Sequence, residues 1–184
     1  MKMICYSGGA YGADYQFGKN TLKHGGTVKH FYYKEKTPFG NTPISLDEFT
    51  EGYKKYTEAA ARLGRFITKK EYVLNLVCRN YSQVKNSTVV YAVARFEERT
   101  KEDTRYKITG GTAYAVEFAI MDEKLVYFYD QTSDKWYMWD YSISDFIPVV
   151  DEPILFPVFT GIGSRSLTMR GIKAIEKLFT RIVK

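Results

Sequence analysis

The sequence predicts an α/β fold in which helices cover a mostly parallel sheet, and three observations carry that expectation. Short apolar, β-branched runs alternate with segments of helical period along the chain. Two glycine-rich turns, Ser7-Gly8-Gly9-Ala10-Tyr11-Gly12-Ala13-Asp14 and Thr160-Gly161-Ile162-Gly163-Ser164-Arg165, each follow an apolar run and open a helix-like pattern. At 184 residues with 45% hydrophobic content and no visible linker, the chain suits one core, so residues 1–184 are read as a single domain.

Taken in order, Lys2 to Tyr6 reads as a strand, and Tyr11 to Lys23 as a helix ended by Gly25-Gly26. Thr27 to Tyr33 is the next strand, followed by a loop holding Pro38, Gly40 and Pro43. Ser45 with Glu48 is a capping box, and Phe49, Tyr53, Tyr56, Ala60 and Leu63 form the apolar face of the helix it starts. Thr68 with Glu71 repeats that signal and opens a helix running to about Tyr81. Val89 to Phe96 has the composition of a buried strand, and the charged loop Glu97 to Lys107 leads from it to Thr109-Gly110-Gly111-Thr112. Ala113 to Met121 is helical, Leu125 to Tyr129 is a strand, and Lys135 to Tyr141 alternates like an added antiparallel strand or hairpin. Asp145 to Pro153 reads as a connector. Pro157 belongs just before the final strand, Val158 to Gly161, because proline cannot donate to a central ladder. The closing helix sets Leu167, Ile172, Ile175, Leu178, Phe179 and Ile182 on one face, against Arg170, Lys173, Lys177 and Arg181 on the other.

Composition narrows the partners. The net charge is +6 and the pI about 9.1, but the Lys and Arg residues are spread along helix faces with no basic tail. That pattern fits a solvated basic surface attracting anionic ligands better than a dedicated nucleic-acid surface. Sixteen tyrosines and twelve phenylalanines are a heavy aromatic load, suited to core filling and, at the surface, to stacking bases. The longest apolar stretches, Ile154 to Phe159 and Val89 to Val93, are too short to span a bilayer, and the N-terminus enters a strand where a signal peptide would carry its apolar region. A cytoplasmic protein without a membrane partner is expected. Cys5 and Cys78 read as buried thiols, and neither they nor His24 and His30 have metal-ligand spacing, so no metal or cofactor is expected.

The glycine turns carry the functional signal. Backbone N–H groups freed of side chains, placed at a helix N-terminus, are a phosphate cradle. Gly8, Gly9 and Gly12 remove side chains where a backbone must approach a ligand, and Asp14 in the first helical turn can accept from a ribose hydroxyl or a base. The competing reading, less favoured for an eight-residue pattern of this kind, is a tight strand-to-helix link with Asp14 helping to cap it. Arg165, after Gly163 and Ser164, can clamp a phosphate through paired hydrogen bonds or form a surface ion pair.

Four segments together resemble the SMF/DprA–LOG, or SLOG, superfamily of Rossmann-like nucleotide-binding domains, and in particular its small phage-type members. Gly161 to Arg165 resembles the family's Gly-[IV]-Gly-Ser-Arg turn, and Ser7 to Asp14 its Ser-Gly-Gly-Ala-x-Gly-Ala-Asp segment; Arg79-Asn80 and Gly110 to Thr112 resemble its later Arg-Asn pair and Gly-Gly-Thr turn. The order differs, because the family's first strand-helix unit here occupies residues 154–184. The resemblance therefore implies a circularly permuted, doubly wound Rossmann-like sheet, with the last strand beside the first and both turns facing one crevice. Exchange of the C-terminal strand and helix between two subunits is the competing arrangement, and pairing of relatives through helices implies a possible homodimer.

The resemblance also implies a site: Ser7, Gly8, Gly9, Gly12, Asp14, Arg79, Asn80, Gly110, Gly111, Thr112, Gly163, Ser164 and Arg165 around a nucleotide-type small molecule, with Thr112 as both N-cap and hydroxyl donor. Arg79 and Asn80 fit an ordinary helix C-terminus equally well. In LOG-type phosphoribohydrolases a glutamate follows the threonine by three residues, but here that position is Ala115. Glu117 lies on another helix face. A sensor or sequestering protein is thus favoured over an N-glycosidic hydrolase, in which Asp14 or Glu117 would have to supply the carboxylate. The alternatives are a DprA-like single-stranded nucleic-acid binder and a phage protein that inhibits a host factor.

Overall fold

The computed structural model describes residues 2–101 and 105–182. The elements are β1 (Ile4–Ser7), α1 (Ala13–Lys23), β2 (Thr27–Tyr32), β3 (Thr42–Pro43), α2 (Leu46–Arg62), α3 (Glu71–Lys85), β4 (Val89–Ala94), α4 (Thr112–Met121), β5 (Leu125–Asp130), β6 (Lys135–Asp140), β7 (Asp145–Pro148), β8 (Val158–Gly163) and α5 (Met169–Leu178). The described residues form one eight-stranded sheet in the order β3-β2-β1-β8-β4-β5-β6-β7. It is parallel from β3 to β5, and β6 and β7 extend it antiparallel. Counted from β8, the strands β2-β1-β8-β4-β5 run 3-2-1-4-5, the Rossmann-like doubly wound order.

Burial explains why these segments became strands and helices. β4 lies between β8 and β5, is covered on both faces, and has every residue buried, which is why it reads as an unbroken apolar run. On one face Phe17 of α1 and Ala174, Ile175 and Leu178 of α5 pack against Cys5, Val89, Tyr91, Val93 and Phe159. On the other, α2, α3 and α4 bring Tyr56, Ala60, Cys78, Val84, Ala115 and Phe118 onto Val90, Ala92, Val126, Phe128 and Ile162. The α2 capping box is formed, with the Glu48 amide donating to Ser45 Oγ (3.2 Å) and the Ser45 amide to Glu48 Oε2 (2.8 Å).

Several expectations are corrected. Thr68 does not cap α3: its Oγ1 accepts from the Lys70 amide, Lys70 is the N-cap residue, and the helix runs on to Lys85. Thr112 is the first residue of α4, not its N-cap; Gly111 holds that position without a side-chain bond. The expected connector from Asp145 contains β7, which pairs with β6 because Phe146 fills the core between Phe128 and Trp139. The helix α5 ends at Leu178, with Thr168 as its N-cap. Part of the charged loop Glu97 to Lys107 lies outside the described residues.

β8 enters the centre of the sheet, bonded to β1 and β4 of its own chain. The Leu155 amide donates to the Arg181 carbonyl (2.9 Å) and the Ile4 amide to the Pro157 carbonyl (2.7 Å), so both ends of the described chain meet the same short segment before β8. The junction of Lys184 with Met1 lies outside the described residues. Among the described residues, no helix is long and apolar enough to cross a membrane.

Candidate functional site

Doubly wound sheets open a crevice where the strand order reverses, because helices on either side of that point pack on opposite faces. Here the reversal falls between β8 and β4, whose carboxyl ends carry Gly163 and Ala94. A cleft of about 330 Å³ opens there, lined by Ala10, Asp14, Arg79, Asn80, Thr109, Gly110, Gly111, Thr112, Gly163, Ser164 and Arg165, with Val73, Leu76, Val77, Ala94 and Ile162 as its apolar wall. Residues from opposite ends of the chain meet because β1 and β8 are neighbours with their following turns on one side.

The two outer turns are locked by backbone. Gly12 has φ of 87°, and a Cβ there would stand 2.3 Å from the Ser164 carbonyl oxygen. That carbonyl accepts from the Ala13 amide at 3.1 Å. Only glycine combines this dihedral with so close an approach. Gly9 faces away from the cleft, toward His30 and Thr37, and its carbonyl accepts from the Phe39 amide at 3.0 Å. Ser7 is fully buried, and its hydroxyl has no partner among the described residues.

Gly8 lies beneath the Arg79 guanidinium: a Cβ on it would be 1.6 Å from Nη1. Arg79 itself is 4% exposed, and among the described residues its Nε and Nη1 have no hydrogen-bond partner. Burial pulls its pKa down to about 10, Asp14 opposing that shift and Arg165 adding to it, so the group stays cationic at neutral pH. Burial also raises the Asp14 carboxyl above the usual carboxylate range, against the pull of Arg79 and of the Ala10, Gly163 and Gly8 amides. Of these amides Ala10 is within hydrogen-bonding distance, at 3.5 Å to Oδ2, while among the described residues Oδ1 has no partner. A buried cation with unmade bonds costs free energy unless something polar completes it.

The third turn is open. Gly110 has φ of 65°, and among the described residues nothing lies within 4 Å of where a Cβ on Gly110 or Gly111 would point, so the start of α4 presents bare backbone to the cleft. Arg65 braces this turn from outside, donating to the Gly110 carbonyl (2.8 Å) and the Ile108 carbonyl (2.8 Å) and pairing with Glu97 at 2.9 Å. The sequence offers no signal for Arg65, since its partners are 32 to 45 residues away.

The structure thus brings Asp14, Arg79, Asn80, Gly110, Gly111, Thr112, Gly163, Ser164 and Arg165 to one cleft, with Gly8 beneath Arg79; it does not bring Ser7, Gly9, Gly12 or Glu117 to its wall. The Glu117 carboxylate pairs with Arg62 at 2.6 Å and is raised above its usual range by burial. Ala115 is fully buried in the core. Nothing in the sequence marks the apolar wall, because Val73, Leu76 and Val77 recur at helical spacing, the pattern of any core-facing stripe. No protein-family model matches the chain, and no curated protein or solved structure matches it.

Proposed function

We propose that the chain binds a nucleotide or nucleotide-derived small molecule, phosphate first, in the cleft at the carboxyl ends of β8 and β4. The observation that carries this reading is Arg79: a buried guanidinium with two nitrogens unpaired among the described residues, lining a cleft beside an open Gly-Gly turn and the start of α4. A phosphate supplies the acceptors that those nitrogens lack, and charge-assisted bonds of this kind are the stronger class. Arg165, exposed at the rim, adds a second cation. Asp14 is the one carboxylate on the cleft wall among the described residues.

Binding without turnover is the form of the activity that the side chains favour. Where LOG-type hydrolases carry a glutamate this chain has Ala115, buried, and Glu117 is held by Arg62. The protein therefore acts as a sensor or sequestering protein for its ligand. The test is a thermal-shift series with AMP, GMP, CMP and UMP on the wild-type protein, Arg79→Met and Arg165→Ala, followed by mass spectrometry of each mixture. A nucleotide at a hundred times its Kd stabilises the fold by about 2.7 kcal/mol. Stabilisation of the wild type by intact nucleotide, weakened in both variants, is the expected result. A released base would replace the binding role with a hydrolytic one, and equal shifts in all three proteins would remove the arginines from the site.

A further inference from the structure

A second cleft, of about 230 Å³, opens between the loop after β2 and the start of α3, and Leu76, Arg79 and Arg165 line both this cleft and the first. The two cations therefore stand at a junction, not at the end of a single pocket. The remaining walls differ in chemistry. Beside Asp14 and Asn80, the first cleft offers the bare Gly110-Gly111 turn and aliphatic side chains, whereas the second sets Tyr32, Tyr33 and Tyr72 around the buried Asn75, with Glu35 and Lys36 on its loop side.

The second cleft is built into the fold. Thr37 Oγ1 donates to the Gly8 carbonyl at 2.8 Å, which ties its loop to the turn on which Arg79 rests. Lys34 pairs with Glu71 at 2.7 Å and joins the same loop to the first turn of α3. Tyr33 is held by stacking on Phe49, with ring centroids 4.2 Å apart. Tyr72 is 53% exposed, and among the described residues no ring stacks on it. A free phenol face beside an amide that both donates and accepts is the equipment for an aromatic base: a stacking platform and a reader of its edge.

Size argues in the same direction. Small-molecule sites start at roughly 300 Å³, so the second cleft alone falls short and the first barely qualifies. Resting on the nucleotide reading above, we propose that the two clefts form one bipartite site for a two-armed nucleotide. The ligand's two nucleoside arms are joined through phosphate, the phosphate bridges Arg79 and Arg165, and one base lies against Tyr72 and Asn75.

The test is isothermal titration of AMP, GMP, CMP and UMP, each against the matching symmetrical dinucleoside diphosphate, on the wild type, Tyr72→Ala and Tyr72→Phe. For at least one pair the dinucleoside diphosphate should bind at least tenfold tighter. Tyr72→Ala should weaken it about tenfold, the scale of one lost base stack, while leaving the mononucleotide unchanged and Tyr72→Phe near wild type. Tyr72 is at the surface, so the substitution leaves the core intact. Mononucleotide binding with no gain from the second arm, or an equal effect of Tyr72→Ala on both ligands, overturns the bipartite site and leaves the phosphate site standing. Absence of binding by every probe overturns both.

Discussion

Substituting Gly8 by alanine tests the site through a residue that itself carries no functional group. The added Cβ would lie 1.6 Å from Arg79 Nη1 and 2.2 Å from Cζ and Nη2. Carbon contacts are comfortable only near 3.5 Å, so the guanidinium must move by about 2 Å. A displacement of that size breaks any hydrogen bond it makes to a bound phosphate, since such bonds tolerate only a few tenths of an ångström. Losing one charge-assisted bond costs about 1.5–3 kcal/mol, or roughly 10- to 150-fold in Kd. The fold should be affected far less, because the obstructed atoms are the free end of a side chain that can swing into the cleft. Isothermal titration with the best-bound mononucleotide would read the affinity, and urea unfolding the stability. An unchanged Kd at unchanged stability would refute the reasoning, since Arg79 would then have moved without consequence for the ligand.

Two further outcomes are expected. A Cβ on Gly52 would stand 2.2 Å from the Cys78 carbonyl oxygen, where α2 crosses α3 backbone to backbone, so Gly52→Ala should destabilise the protein by about 1–3 kcal/mol in urea despite alanine's better helix propensity; a stabilised variant would show that the helices separate freely. His30 is pushed down to about 4 by burial first and by the Arg79 charge second, so the unfolded chain binds the extra proton between its ordinary value of 6.5 and 4. Stability should therefore rise as pH increases across that window, by up to about 3 kcal/mol from this group, and His30→Gln should flatten the slope of urea midpoints against pH; an unchanged slope would assign it to other groups.

Local patterns were legible wherever one interaction within a few residues decides the outcome. The Ser45–Glu48 box, the buried run Val89 to Ala94 and the amphipathic α5 are of this kind. Thr68 failed as a cap because its side chain turned instead to the Lys70 amide, a competition between near neighbours that composition does not resolve. β7 went unread because an edge strand is made by its partner: Phe146 is buried only once β6 lies beside it.

The candidate site divides along the same line. Its glycine turns, Asp14 and the arginines are visible as residue types, because backbone that must come close to something has to shed side chains. Their convergence is not visible, since β8 reaches β1 across some 150 residues and Arg79 reaches Gly8 across 71. Glu117 shows the converse: the helical period alone put it on another face, but only packing against α2 handed its carboxylate to Arg62. Chain order and residue chemistry thus settled the α/β class and the polar groups on offer. Burial of Arg79 with its bonds unmade, and its position between two clefts, came from packing the sheet and both helical layers together, because desolvation and shape belong to the assembled fold and to no single segment.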